Sequence, residues 1–125
     1  MATKITHFEI HDVRFPTSLT GDGTDAIYFL ELHSTCLRNT DCDYSSAYVT
    51  LYTDGVLIGH GMTFTIGRGQ DIVCHAIREV AGRLVGLEPE SLFGNMGKTW
   101  DWMCSDSQLR WIGPEKGVIH LATAA

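Results

Sequence analysis

Between Ala47 and Phe64 the chain reads AYVTLYTDGVLIGHGMTF, two alternating β-rich runs joined at Thr53-Asp54-Gly55. Asp-Gly between two such runs is the strongest short-range hairpin cue, because both residues tolerate the positive φ angles of a tight turn. The segment therefore predicts an antiparallel hairpin. A third strand is predicted by KITHFEIH, residues 4–11, whose alternation points Phe8 and Ile10 one way and His7, Glu9 and His11 the other.

Beyond the Gly-rich connector TIGRGQD, residues Ile72, Val73, Ala76, Ile77, Val80, Ala81 and Leu84 recur at helical spacing, with Arg78, Glu79 and Arg83 opposite. This predicts an amphipathic helix that ends near Gly86. The stretch that follows sets Trp100, Trp102 and Trp111 among glycines and a proline, which predicts short helices with the aromatics in the core. A last helix is expected to start at Pro114, with Glu115 in its first turn, where the dipole favours a carboxylate. No Gly or Asn cap, cationic last turn or proline stop follows it before Ala125. Three antiparallel strands followed by helices on one face make an α+β domain, and 125 residues are the length of one domain.

Several function classes are disfavoured by composition. The net charge is -6 and the nine Lys and Arg are scattered, so there is no basic stripe for neutralising phosphates, and no nucleic-acid partner is expected. No apolar run approaches the ~20 residues that cross a bilayer, and MATKITHFEIHD has no apolar signal region, so neither membrane insertion nor secretion is expected. Cys36, Cys42, Cys74 and Cys104 are few for this length, and Cys74 falls on the apolar side of the predicted helix. Reduced thiols in a cytoplasmic protein fit better than a disulfide framework.

Local catalytic motifs are missing. GRGQD, residues 67–71, opens a helix and could hold an anion, yet it lacks the third glycine of a dinucleotide fingerprint and reads as an ordinary strand-to-helix turn. His33, Cys36 and Cys42 could be three soft metal ligands, but the second well-spaced pair of a zinc site is absent. His60 and His75 have no ligand neighbours at metal spacing. There is no G-x-S-x-G, no reactive-cysteine signature and no H-E-x-x-H. What stands out is FPTSLTGDGTDA, from Phe15 to Ala26, a long polar loop of glycines, hydroxyls and carboxylates suited to a lid over a site.

DVRFPTSLTGDGTDA, DYSSAYVTLYTDG, GHGMTFTIGRG and LRWIGPEKGVIHLATAA together resemble the start of the L-fuconate dehydratase family, sugar-acid dehydratases in the mandelate-racemase-like branch of the enolase superfamily. The block RWIGPEKGV is specific to that family. The resemblance implies that residues 1–125 are an N-terminal capping domain, a three-stranded antiparallel sheet with helices, over the mouth of a (β/α) barrel. A barrel takes roughly 250 residues and keeps its chemistry at its own strand ends. The implied Mg²⁺ and the base that removes the α-proton would sit there, so no catalytic residue, metal or cofactor is expected in this chain, and it should be inactive alone.

A cap of this kind supplies specificity and excludes water through two loops. The first is carried onto Gly23, Thr24 and Asp25, with Tyr44 beside it. The resemblance implies hydrogen bonds from this set to the hydroxyls of a sugar-acid substrate: Asp25 accepting, Thr24 through its hydroxyl or backbone, Tyr44 donating or accepting, and Gly23 allowing close backbone approach. The second loop corresponds to Thr63–Gly69. The chain departs from the family by an apolar-rich insertion, IYFLELHSTCLRN, between GTDA and TDCDYSSAY, and by ending where the family's last helix runs on. A different expectation is a non-catalytic interaction module, whose final helix leaves Val118, Ile119 and Ala122 unpartnered and so self-associates.

Overall fold

A computed structural model describes residues 2–15, 43–65, 69–112 and 117–125 of the chain. Strands β1 (Ile5–Phe15), β2 (Asp43–Thr53) and β3 (Ile58–Thr65) form one antiparallel sheet in that order. Helices α1 (Gln70–Gly82), α2 (Pro89–Phe93) and α3 (Met96–Cys104), a 3-10 turn (Arg110–Ile112) and helix α4 (Val118–Ala124) follow. Among the described residues no helix is long and apolar enough to cross a membrane.

The hairpin turn closes through its own side chains. Thr53 Oγ1 donates to the Leu57 carbonyl at 2.8 Å, and Gly55 N donates to Thr53 Oγ1 at 3.3 Å. Asp54 ties the tip to the start of β1, its Oδ1 accepting from Lys4 N at 2.8 Å and its N–H donating to the Lys4 carbonyl at 2.9 Å. Register then decides the faces. Val49 lies in register with Ile10 and Gly61, and Leu51 with Phe8 and Gly59, so these residues share one side of the sheet. On that side Ala47 and Val49 pack against Val73, Ile77, Val80 and Ala81 of α1 and Ile119 and Ala122 of α4.

Small residues on the sheet make room for the helices. A Cβ on Gly61 would run into the Ala125 carbonyl, so only glycine lets the end of α4 lie against β3. At the far end of α1 the chain turns back through Gly86, whose φ of 88° is left-handed and suits glycine. Its N–H donates to the Ile5 carbonyl at 2.8 Å, which docks this turn on the first strand. The predicted helix is thus present. Ile72, counted on its apolar face, is exposed instead.

Two further expectations are corrected. The tryptophans are not core: Trp100, Trp102 and Trp111 are 37%, 40% and 80% exposed. The aliphatic residues of α1 and α4 already fill the space over the sheet, and the indoles of Trp100 and Trp102 pack at its margin. Trp100 meets His120 edge-on with centroids 4.9 Å apart, and the Arg83 guanidinium lies 4.1 Å from the centre of the Trp102 ring. Arg83 also donates to the carbonyls of Trp102 and Met103 and pairs with Asp106 at 3.3 Å, which pins the end of α3 to α1.

The last helix starts at Val118, not Pro114. Its N-cap Gly117 is extended (φ -111°, ψ -171°), and residues 113–116 lie outside the described set. Nor is its apolar face unpartnered. Ile119 is fully buried and Ala122 nearly so, both inside the core.

Candidate functional site

β1 and β3 both run antiparallel to β2, so the ends of both meet its start. The register pairs Phe15 with Asp43 and Ser45 with Thr65. The chain therefore leaves the sheet after residue 15, returns at 43 and leaves again after 65, all at one end, and α1 starts there at Gln70. The two segments singled out in the sequence, around residues 23–25 and 63–69, are rooted side by side. Topology achieves this without help from any single side chain.

Burying a polar group costs free energy unless it is hydrogen-bonded, so where such groups gather is informative. Among the described residues they gather at this end: Ser45, Ser46, Thr63 and Gln70 are buried, while Thr50 is the exception in mid-sheet. Thr65 Oγ1 donates to Gln70 Oε1 at 2.7 Å and fastens the first helical residue of α1 to the last residue of β3. Gln70 is fully enclosed, and its Nε2 has no hydrogen-bond partner. Gly69, left-handed at φ 81°, precedes it and brings no side chain to cap the helix. Asp71 supplies a carboxylate in the first turn. The set offers hydroxyls, an amide and a helix terminus. It has no acid-base pair.

Among the described residues one shifted titration lies one turn along α1 from Gln70 and another on the opposite sheet face. Burial raises the Cys74 thiol above its ordinary value, with the nearby Asp12 carboxylate adding to the effect. Tyr52 is raised by its hydrogen bond to Glu9 Oε2 at 3.0 Å, on the sheet face away from the helices. Among the described residues no group of His, Cys, Asp and Glu could hold a metal ion, so these residues do not fit the Mg²⁺ that the resemblance implies for the barrel. Cys74 and Cys104 are free thiols. His60 Nδ1 lies 3.3 Å from Thr50 Oγ1, and His75 Nδ1 lies 3.1 Å from an Arg78 nitrogen.

Of the residues predicted for the site, Gly23, Thr24 and Asp25 lie outside the described residues, as do His33, Cys36 and Cys42. Tyr44 is the second residue of β2, at the loop end of the sheet; its side chain is outside the description. From GRGQD, Gly67 and Arg68 lie outside the described residues, Gly69 is the N-cap position of α1, and Gln70 and Asp71 open the helix. The sequence reading passed over Gln70. The signal was available, since Gln70, Val73 and Ile77 are three and four residues apart on one helix face and the latter two are core residues.

A three-stranded antiparallel meander, helices on one face and two loop roots at one end form the fold of the N-terminal capping domain of enolase-superfamily proteins. No family model matches the chain. It is 57% identical over 121 residues to L-galactonate dehydratase of Hypocrea jecorina, across 97% of this chain and 24% of that protein. The crystal structure of human mitochondrial enolase superfamily member 1 matches with a TM-score of 0.78 at 38% identity, over 97% of this chain and 25% of that one. L-talarate dehydratase of Polaromonas sp. JS666, crystallised with Mg and L-glucarate, shares the fold with a TM-score of 0.59 at 18% identity, over 97% and 26%. This chain belongs to the enolase superfamily. It spans about a quarter of the length of the relatives it matches, and the barrel is not among these 125 residues.

Proposed function

We propose that the chain is the substrate-capping and specificity portion of a sugar-acid dehydratase acting on L-fuconate or the closely related L-galactonate. The observation that carries this reading is the single sheet end at which both loop roots meet, where Ser45, Ser46 and Gln70 are buried. The 57% identity to an L-galactonate dehydratase supports the substrate class. L-Fuconate is L-galactonate without the oxygen at C6, so the family resemblance and this relative differ by one hydroxyl.

On this reading the barrel carries the reaction, loss of the α-proton and the β-hydroxyl to give a 2-keto-3-deoxy acid. The cap orients the hydroxylated end of the substrate and keeps bulk water out. Gly23, Thr24, Asp25 and Tyr44 are the residues we assign to that contact, Asp25 as acceptor and Tyr44 as donor or acceptor. Free, buried Cys74 and Cys104 support a reducing compartment, and we assign the protein to the cytoplasm. An interaction module built on the last helix has less to recommend it, because Ile119 and Ala122 are used within the chain.

The test compares the chain alone with the same chain fused to the remaining three-quarters of the Hypocrea enzyme, each given Mg²⁺ and either acid. The chain alone should form no 2-keto-3-deoxy acid and the fusion should form it. Turnover by the chain alone would sink the division of labour, and a folded but inactive fusion would sink the cap.

A further inference from the structure

We draw no further inference here: the strongest candidate, the apolar cavity between the hairpin end of the sheet and helices α2 and α3, lined by Leu57, Ile58, Leu92, Phe93 and Met96, is an unpartnered face, and nothing in the structure shows what covers it.

Discussion

In the middle of the sheet, Ala47 and Val49 meet Ile77 and Val80 of α1 and Ile119 of α4, and the contact is aliphatic throughout. At the loop end of the same sheet, Ser45 and Gln70 are buried as deeply, and one amide atom of Gln70 goes unpaired. Aliphatic burial stabilises roughly in proportion to area and tolerates many arrangements. Polar burial adds only a little net stability when paired and costs when it is not. The middle thus holds the fold together, while the loop end carries groups that stability alone does not require.

The largest effect expected from this contrast is at Ile119. Ile119→Ala should lower stability by about 2–5 kcal/mol, read as a fall in the urea midpoint, because it opens a cavity between α4 and the sheet. A loss well below that range would show that α4 is not integral to the core. Gln70→Met should behave differently and change stability by no more than about 1 kcal/mol in either direction, since it removes an unpaired amide atom along with one hydrogen bond. Should it cost as much as Ile119→Ala, the loop end is structural after all.

A smaller effect separates the two regions by pH. Burial, then Asp12, holds the Cys74 thiol above its ordinary value of 9.0 in the folded chain. The unfolded chain therefore loses this proton first. The contribution to stability is complete below the ordinary value and is lost as pH rises through it toward the folded value. Urea midpoints compared for the native chain and Cys74→Ala should diverge in trend only on the alkaline side, with the native chain falling faster. Parallel curves would show the thiol to be accessible to solvent.

The elements of the fold were legible where periodicity was strong. The Asp54-Gly55 turn marked the hairpin, the alternation of KITHFEIH marked β1, and the spacing from Val73 to Leu84 marked α1. The tryptophans were misjudged because an indole's area predicts burial only when space remains for it, and the aliphatic residues of α1 and α4 had taken that space. The start of α4 was misjudged because Pro114 fits a first helical position, yet Gly117 is extended and the helix begins only after it. The candidate site was read mainly by resemblance. Gln70 escaped notice because a lone glutamine in a Gly-rich connector looks solvated until its helical face is known.

The order of local elements, the strand pairing and the apolar face of α1 were written in the sequence, because each depends on residues a few positions apart. Tertiary structure alone decided that residues 15, 43 and 65 share one end of the sheet, that the end of α4 lies against Gly61, and that Gln70 is enclosed with a polar atom unpaired. These outcomes depend on contacts between segments far apart in the chain. No local pattern encodes which polar group will lack a partner once those segments have packed.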